Sequence, residues 1–319
     1  MKEKVPVMKH VFILNPAAGK SDQTPRFTQD IERICGAKGL DFEICVSNAP
    51  GDCKAIARRF AQSGREVRLY ACGGDGTLNE VVTGAVGFPN AAVTVFAGGS
   101  GNDFIRMFDN PEAFTDLNQL LDAREEQLDL IRVNDDYAFN ICSVGLDARI
   151  GTDVSGYKRI PMFHGFRAYL VSTLVNVIRG IGEHYNIEIN GRRMDGEYTM
   201  VCVCSGQFYG GGFHPVPEAD PRDGKLEVLL VEKVRRLKVA GLISKYKAGR
   251  YRELPELIQH FTTDRLTIRC DQDTAINLDG ELRRAKEIEI SVAEEKIRFF
   301  YPASTGLVVK EIAPEAAPV

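Results

Sequence analysis

Apolar and polar positions alternate most regularly in residues 67–73, and this pattern predicts a buried β-strand. Val67, Leu69 and Ala71 are apolar and are separated by longer polar-headed side chains such as Arg68. Alternation with a period of two is typical of a strand rather than a helix. A glycine loop and a helix start follow this strand without interruption, so we take this stretch as the centre of the fold.

A glycine-rich turn joins this strand to the next predicted helix. Thr77 and Glu80 have the spacing of a capping box, which predicts a helix that begins at Thr77. Gly73, Gly74 and Gly76 then lie between the strand and the helix N-terminus, where backbone N–H groups and the helix dipole favour a phosphate. We interpret the turn as a phosphate-binding loop. The alternative is an ordinary βα turn in which the glycines only permit tight geometry.

The first 127 residues alternate between strand and helix patterns. Strands are predicted at 11–14, 42–46, 67–73 and 92–96, with helices at 26–38, at 52–63 and from Thr77 onward. This alternation predicts a parallel sheet with helices on both sides. A second glycine loop, residues 98–104, follows the fourth strand. Because open α/β sheets bind ligands at the carboxyl ends of their strands, we expect both glycine loops to meet one nucleotide.

The pattern changes after about residue 127. Strand-like runs are found at 129–133, 137–144, 185–189, 198–204, 225–231, 266–270, 275–278, 287–292 and 297–301. Turn sequences such as Asn190 and Gly191 separate several of them, so we expect a largely antiparallel β-sandwich. Two helices, at 166–179 and 237–247, interrupt it.

The predicted fold class is therefore α/β plus all-β. We expect an α/β nucleotide-binding domain with a parallel sheet and glycine-rich loops at residues 1–127, and a β-sandwich domain at residues 128–300. The sequence leaves open whether the C-terminal segment, residues 301–319, returns to the first domain.

Composition restricts the class of protein. The chain has 319 residues, 44% of them apolar and 26% charged, which is ordinary for a globular protein long enough for two domains. No apolar run is long enough to cross a bilayer and no secretory signal is recognised, so we expect a cytoplasmic location. The net charge of −4 argues against nucleic-acid binding. The eight cysteines form no CxxC pair, which favours reduced thiols.

Five motifs together resemble a known enzyme family. They are NPAAGK at 15–20, GGDGTLNE at 73–80, GGSGNDF at 98–104, PEADPRDGKL at 217–226 and LDGE at 278–281. In order and spacing they resemble the soluble bacterial diacylglycerol kinases and related lipid kinases, over nearly the whole chain. GGDGT alone is shared with NAD kinases. The fused NE at Asn79 and Glu80 and the late LDGE look specific to lipid kinases.

The resemblance implies an ATP site formed by three N-terminal loops. The matching positions are Asn15, Pro16, Ala17, Ala18, Gly19, Ser47, Gly73, Gly74, Asp75, Gly76, Thr77, Leu78, Asn79 and Ser100. Family members often carry threonine where this chain has Ser47 and Ser100. Serine also supplies a hydroxyl, so we expect little loss of function.

The chemistry of phosphoryl transfer independently requires a phosphate site, a cation and a base. The γ-phosphate has to be positioned, its charge neutralised by Mg²⁺, and the proton of the attacking hydroxyl accepted by a base. We choose Glu281 as that base, in agreement with the resemblance. Asp75 and Asp103, each at a phosphate loop, are candidates for binding Mg·ATP or for orienting the loops, and a cap within the loop is the alternative. Asp279 ranks below Glu281 because it can simply shape the turn.

A second magnesium site is implied by the motif at 217–226. Composition alone favours a plain Asp-Gly turn there, although Asp220 and Asp223 offer the oxygen ligands that Mg²⁺ prefers. The resemblance implies instead a structural Mg²⁺ at Asp220, Asp223 and Lys225, the first and last through main-chain oxygens. Asp129 matches an aspartate linked to this metal through water. We expect the ion to join the two domains rather than to act in catalysis.

The acceptor side is less specified. Residues 166–178 carry an apolar helical stripe that is either core or the wall of a lipid groove. Residues 233–252 contain eight basic side chains and no acidic ones. This basic stretch is either a site for anionic lipid headgroups or a solvated helix face. The resemblance implies a peripheral enzyme at the inner face of the membrane. Whether it forms a homodimer is left open.

The sequence thus predicts an ATP- and Mg²⁺-dependent kinase of diacylglycerol or a related lipid. The nearest alternative is a kinase of a sphingoid base or of phosphatidylglycerol, because the nucleotide motifs are common to all of them. A soluble-substrate kinase of the NAD type and a non-catalytic regulator that binds lipid or nucleotide are further alternatives.

Overall fold

Strands make up most of the regular structure. The computed structural model describes residues 8–19, 21–99, 101–145, 182–234 and 239–310. The strands are β1 (Lys9–Leu14), β2 (Phe42–Val46), β3 (Val67–Gly73), β4 (Ala91–Ala97), β5 (Ala123–Leu128), β6 (Ile131–Val133), β7 (Asp136–Ala138), β8 (Ile141–Gly145), β9 (Glu183–Ile189), β10 (Arg192–Cys204), β11 (Leu226–Glu232), β12 (Ile258–Thr263), β13 (Arg265–Leu278), β14 (Glu281–Val292) and β15 (Ile297–Pro302).

Five α-helices and three short 3-10 helices complete the described part of the chain. The α-helices are α1 (Thr24–Ala37), α2 (Asp52–Ala61), α3 (Asp75–Ala85), α4 (Leu117–Leu121) and α5 (Val239–Lys247). The 3-10 helices are Phe104–Met107, Pro111–Thr115 and Tyr251–Glu253. The helix predicted at 166–179 lies outside the described residues, and α5 agrees with the second predicted helix.

The first sheet has the strand order β2-β1-β3-β4-β15-β5. Strands β1 to β4 and β15 run parallel, and β5 is antiparallel to β15. Every residue of β4 is buried, as expected for a parallel strand whose two faces are both covered. The parallel sheet predicted for the N-terminal domain is confirmed.

The chain returns to the first sheet near its C-terminal end. β15 lies between β4 and β5, with Phe299 paired to Val93. Beyond it, the N–H of Val308 donates to the carbonyl of Met107 at 2.8 Å. The described part of the C-terminal segment, residues 301–310, therefore contacts the first domain, and the boundary placed at residue 300 falls inside β15.

The second sheet is antiparallel and has nine strands in the part of the chain that the structure describes. Its order is β12-β11-β10-β8-β13-β14-β6-β7, and β9 pairs with both β10 and β13. The first halves of β10 and β13 pair with β9, whereas their second halves pair with β8. Two separate apolar clusters pack on this sheet. The antiparallel, sandwich-like second domain is therefore confirmed.

Two strands were not predicted, and both are polar. β5 has the sequence AREEQL, and Glu125 within it pairs with Arg68 at 3.0 Å and with Arg298 at 2.8 Å. β12 is an edge strand with the sequence IQHFTT. Neither shows the apolar alternation on which the prediction relied, because ion pairs and edge exposure replace apolar burial there.

An aromatic cluster joins the two domains beneath the sheet edge. Phe139, in the segment between β7 and β8, packs on Phe104 with ring centroids 4.2 Å apart and on Phe299 at 5.8 Å. All three rings are buried. The apolar core of the first domain therefore extends to the first residues of the second domain. This shared packing holds the two glycine loops in a fixed position relative to the β13–β14 hairpin.

Candidate active site

Two loops of the first sheet flank the point where its strand order reverses. The connection after β1 leads to β2 on one side, and the connection after β3 leads to β4 on the other. Open α/β sheets bind ligands in the crevice at such a switch point. Asn15, directly after β1, donates from Nδ2 to Oγ1 of Thr77 in α3 at 3.0 Å. The first loop is therefore tied to the helix that follows the second.

The two glycine loops are in direct contact. The N–H groups of Gly98 and Gly99 both donate to the carbonyl of Gly73, at 2.9 and 3.0 Å. A Cβ atom built on Gly99 would lie 2.4 Å from Cα of Gly74, so only glycine permits this approach. Gly19 has φ of +85°, and a Cβ on it would lie 2.8 Å from the carbonyl oxygen of Gly98. The two loops therefore lie together, and that they meet one nucleotide stays a prediction.

Helix α3 begins two residues earlier than the capping box predicted. It spans Asp75–Ala85, with Gly74 at the N-cap and no side-chain cap hydrogen bond. The capping-box prediction is wrong because Glu80 reaches to α2, where it accepts hydrogen bonds from the N–H groups of Gly51 at 3.0 Å and Lys54 at 3.4 Å. Since no side chain caps α3, its first N–H groups are available to an anion.

Asp75 joins the second glycine loop to the first turn of α3. Its Oδ1 accepts hydrogen bonds from the N–H groups of Asp103 at 2.6 Å and Phe104 at 3.3 Å, where a 3-10 helix begins. Burial raises the pKa of Asp75 to about 6, and the nearby charge of Asp103 adds to the shift. Neither Asn102 nor Asp103 caps that 3-10 helix with its own side chain. The carboxylate of Asp75 binds the first N–H groups of that 3-10 helix instead.

Asp103 links the first domain to the second. It is 4% exposed, its Oδ2 accepts from the N–H of Gly211 at 2.6 Å, and its Oδ1 lies 3.2 Å from Nε of Arg106. Burial raises the pKa of Asp103, while the Gly211 N–H opposes the shift. Gly211 lies in a run of three glycines, residues 210–212, that all have positive φ. This run was not among the predicted site residues, although three consecutive glycines are themselves a signal of close backbone approach.

Asp279 lies in the turn between β13 and β14 and binds the backbone of the second domain. Asp279 and Gly280 have φ of +50° and +100°, as an Asp-Gly hairpin turn requires. The carboxylate accepts from successive N–H groups of residues 139–141, the last at 2.7 Å. Burial raises the pKa of Asp279 to about 6, the three N–H groups oppose this, and the charge of Asp75 adds to it. Asp75 and Asp279 therefore lie within electrostatic reach of each other.

A cleft of about 580 Å³ lies between the two domains and contains Glu281. The wall from the first domain includes Lys54, Asn79 and Glu80, and the wall from the second includes Tyr137, Leu278 and Glu281. The carboxylate of Glu281 is exposed, and its Oε2 lies 3.9 Å from Nη1 of Arg283. Glu281 thus faces the same cleft as the second turn of α3.

The remaining residues of the predicted ATP site differ in whether their side chain or only their backbone is available to a ligand. Ser47 follows β2, is buried, and donates its N–H to the carbonyl of Leu14 at 2.9 Å. Asn79 is buried, and its Oδ1 has no hydrogen-bond partner within the part of the chain that the structure describes. The side chain of Leu78 packs in the core, so only its backbone can face a ligand. Ser100 lies outside the described residues.

Both halves of the chain match known families. A family profile described as Diacylglycerol kinase catalytic domain matches residues 9–133. A second, described as YegS C-terminal NAD kinase beta sandwich-like domain, matches residues 140–300. The chain belongs to the diacylglycerol kinase family. The first match contains the two glycine loops at 73–76 and 98–104, and the second contains the hairpin with Asp279 and Glu281.

Relatives of this diacylglycerol kinase family member extend over most of its length. A Staphylococcus carnosus protein, named provisionally as a lipid kinase, is 24% identical over 299 residues, which are 91% of this chain and 96% of the relative. A Staphylococcus epidermidis protein with a similar name is 28% identical over 264 residues, 81% of this chain and 85% of the relative.

Solved structures share the fold. A Bacillus anthracis crystal structure, titled provisionally as a diacylglycerol kinase, has a TM-score of 0.72 at 20% identity and covers 94% of this chain and 99% of its own. Another, titled as a diacylglycerol kinase from the same organism, has a TM-score of 0.68 at 19% identity, with 96% and 100% covered. Within the described residues, no helix combines the length and the apolarity that a membrane crossing requires.

The loop that the family resemblance assigns to a structural magnesium contacts Asp129, close to the boundary between the two domains. Asp129 is fully buried, its Oδ2 accepts from the N–H of Gly224 at 2.8 Å, and Nζ of Lys296 lies 2.7 Å from its Oδ1. Burial raises the pKa of Asp223, and the charges of Asp220 and Asp129 contribute. Asp220 itself pairs with Arg222 at 2.7 Å.

These contacts leave the magnesium site a prediction. Among the described residues, no three His, Cys, Asp or Glu side chains are grouped so that they could hold a metal ion. The predicted coordination used main-chain oxygens of Asp220 and Lys225, which such a grouping does not require.

The basic stretch at 233–252 is less positive in the folded protein than in the sequence. Lys233 pairs with Glu197 at 2.7 Å, and Arg252 pairs with the buried Glu218 at 2.8 Å. Lys245 and Arg250 both pair with Glu253, at 3.2 and 3.4 Å. Arg235, Arg236 and Lys238 lie outside the described residues. Glu197 and Glu218 come from other parts of the sequence, and Glu253 directly follows the stretch, so the run at 233–252 by itself does not show its partners.

Proposed function

We propose that this diacylglycerol kinase family member transfers the γ-phosphate of ATP to the hydroxyl of diacylglycerol or a related lipid. One observation supports the proposal: Glu281 borders an interdomain cleft together with Asn79 and Glu80 of α3, and the touching glycine loops lie at the N-terminal end of that helix. Phosphoryl transfer needs a phosphate site and a base within reach of each other.

The residues at the sheet edge fit a nucleotide. The first N–H groups of α3 have no side-chain cap, and Oδ1 of Asn79 is buried without a partner among the described residues. A buried polar atom left unsatisfied costs about 1–3 kcal/mol, which a bound ligand can offset. ATP would supply the phosphoryl group, held by Asn15, Gly73 to Gly76, Thr77 and Asn79.

The carboxylates beside these loops fit a nucleotide-bound cation. Burial raises the pKa values of Asp75, Asp103 and Asp279, and a neighbouring negative charge adds to the shift for Asp75 and Asp279. Mg²⁺ prefers oxygen ligands and would neutralise the charge that develops on the phosphates. We propose that Asp75 faces Mg·ATP, whereas Asp103 and Asp279 position the loops through the N–H groups that they accept from. A structural Mg²⁺ at residues 220–225, linked to Asp129, is a separate proposal.

The chain's own chemical step is a proton transfer. As the lipid hydroxyl oxygen forms a bond to the γ-phosphorus and the bond to the leaving ADP oxygen breaks, Glu281 accepts the hydroxyl proton. The exposed carboxylate can then release that proton to solvent. Asp279, two residues before it, holds the turn through the backbone of residues 139–141, so Glu281 is carried on a fixed hairpin end.

A radiolabel assay tests this function. Wild-type protein is incubated with labelled ATP, Mg²⁺ and diacylglycerol in mixed micelles, in parallel with Glu281→Gln. Removing a general base typically costs 10²- to 10⁴-fold in rate, so we expect label in the lipid with wild type and a loss of roughly that size in the variant. Glu287→Gln is the matched control, because Glu287 lies on the same strand in an exposed pair with Arg269 at 3.5 Å.

The outcomes separate the alternatives. No labelled lipid from wild type contradicts the proposed function, and equal labelling by Glu281→Gln contradicts the assignment of the base. A panel containing diacylglycerol, a sphingoid base and phosphatidylglycerol identifies the acceptor. Transfer to a soluble acceptor in the absence of any micelle would instead favour the NAD type of kinase.

A further inference from the structure

Arg106 lies where the second glycine loop meets the second domain. It belongs to the 3-10 helix Phe104–Met107, which directly follows the loop. Its Nε lies 3.2 Å from Oδ1 of Asp103, and its Nη2 donates to the carbonyl of Gly101 at 3.3 Å. Two of the three guanidinium nitrogens are therefore bound to the loop, and these two contacts fix the orientation of the planar group.

The third guanidinium nitrogen, Nη1, forms no hydrogen bond to the residues that the structure describes. It lies next to Gly212 of the second domain, and a Cβ atom built on Gly212 would be 3.2 Å from it. Because glycine has no side chain, the backbone passes close to the guanidinium without covering it. The side chain of Arg106 is 43% exposed, so Nη1 is open to a ligand.

The carbonyl that Arg106 binds belongs to a residue that packs against Asp75. A Cβ atom built on Gly101 would lie 2.6 Å from Oδ2 of Asp75, which is the first residue of α3. Only Gly101 therefore separates Arg106 from the helix end at which backbone N–H groups are available to an anion. We expect a phosphate bound at this helix end to lie near the guanidinium.

The alternative role of Arg106 is to neutralise Asp103. Burial raises the pKa of Asp103, and the N–H of Gly211 and the charge of Arg106 both oppose this rise. The ion pair uses Nε, however, and leaves Nη1 without an acceptor. A neutralising role depends on the charge of Asp103, whereas a phosphate contact through Nη1 does not. The two roles can therefore be separated by removing the charge of Asp103.

We propose that Nη1 of Arg106 binds an oxygen of the γ-phosphate of ATP. The inference rests on the proposed function, in which ATP is the phosphate donor. Arg106 lies on the side of the loop that faces the second domain, which also carries the proposed base Glu281, so the terminal phosphate is the one that it meets. Arginine stays charged and presents a planar fork to phosphate oxygens, so it stabilises negative charge on the transferred group without exchanging a proton.

Calorimetric titration with nucleotides tests this contact without any lipid. Wild type, R106Q, D103N and the double variant D103N/R106Q are each titrated with Mg·ATP and with Mg·ADP. Losing a hydrogen bond to a charged group raises Kd about 10- to 150-fold. We expect R106Q to raise the Kd of Mg·ATP by this factor in the wild-type protein and equally in the D103N protein. The Kd of Mg·ADP should change less than about threefold, because ADP has no γ-phosphate.

The matched control for R106Q is R33Q. Arg33 also pairs with an aspartate three residues before it, since its Nη2 lies 2.8 Å from Oδ1 of Asp30, but this pair lies on the exposed side of α1. We expect R33Q to bind both nucleotides like wild type. If R106Q alone fails to fold because the charge of Asp103 is left buried and unpaired, the comparison of D103N with D103N/R106Q still tests the contact.

The outcomes separate this contact from its alternatives. If adding R106Q to D103N leaves the Kd of Mg·ATP unchanged, Arg106 acts through Asp103 and the proposal is overturned. Equal losses for Mg·ATP and Mg·ADP, or a loss of affinity in R33Q, also overturn it. The expected nucleotide results without any labelled lipid would retain the contact and overturn the lipid kinase. Labelled lipid together with unchanged ATP binding by R106Q would retain the kinase and overturn the contact, and a wild type that binds neither nucleotide contradicts both.

Discussion

Replacing Gly76 by alanine separates a phosphate-binding loop from a merely tight turn. Gly76 is the second residue of α3, and a Cβ atom built on it meets no atom within 4 Å. Alanine loses less backbone entropy than glycine when a helix forms, so the free energy of unfolding should rise by roughly 0.5–1 kcal/mol. In a chain of this size, that raises the unfolding midpoint by about 1–3 °C.

The same substitution should weaken ATP binding. If phosphates approach the first N–H groups of α3, the methyl group added at position 76 occupies space that they need. Losing one hydrogen bond to a charged group costs about 1.5–3 kcal/mol, which is roughly a 10- to 150-fold increase in Kd. Isothermal titration with Mg·ATP measures this change, and thermal unfolding without nucleotide measures the stability.

Gly36→Ala is the matched control for this experiment. Gly36 lies in α1, and a Cβ on it also meets nothing within 4 Å, so the control should gain stability and keep its ATP affinity. A Gly76→Ala protein that binds ATP like wild type would refute the phosphate-binding interpretation and favour the ordinary βα turn. A Gly76→Ala protein that is less stable than wild type would contradict the placement of Gly76 within helix α3.

Three further substitutions test the contacts around the loops. Gly99→Ala places a Cβ 2.4 Å from Cα of Gly74. We therefore expect the free energy of unfolding, measured in urea, to fall by about 1–3 kcal/mol and ATP binding to be lost. An unchanged free energy of unfolding would contradict the contact between the loops. Glu80→Ala should cost about 1 kcal/mol and speed amide exchange at Gly51 and Lys54, whereas faster exchange confined to Thr77 would restore the capping box. For Asp75 the folded pKa of about 6 exceeds the ordinary 3.8, so the folded state holds the proton more tightly and the free energy of unfolding falls as pH rises from about 4 to 6. Asp75→Asn should make that decline shallower by about 1 kcal/mol per pH unit, and identical slopes would contradict the buried carboxyl.

The sequence predicted most reliably the elements that apolar burial defines. Strands β1, β3 and β4 are buried on both faces, so runs such as Val67 to Cys72 are readily predicted as strands, and the glycine loops follow directly after them. The β13–β14 turn was also readable, because Asp279 and Gly280 are the residues that accept positive φ.

The contacts that the sequence could not give are those between distant polar residues. Thr77 and Glu80 have the spacing of a capping box, yet Glu80 binds α2, because a tertiary donor pair competes successfully with a local one. The basic stretch looked unpaired for the same reason, since Glu197 and Glu218 lie outside it in the sequence. β5 was missed because its charged residues are paired across the sheet.

The positions of the four acidic residues divide their roles. The carboxylates of Asp75, Asp103 and Asp279 are each occupied by backbone N–H groups, and those groups belong to loops that have to be held together: residues 103–104, Gly211 and residues 139–141. A carboxylate that already accepts such bonds is poorly placed to take a proton from a substrate, because protonation would disrupt the loop it supports. Glu281 accepts no backbone hydrogen bond among the described residues and stands in the cleft. On this reasoning the acids that accept backbone N–H groups fix the geometry, and Glu281, which the fold leaves exposed, is the proposed base.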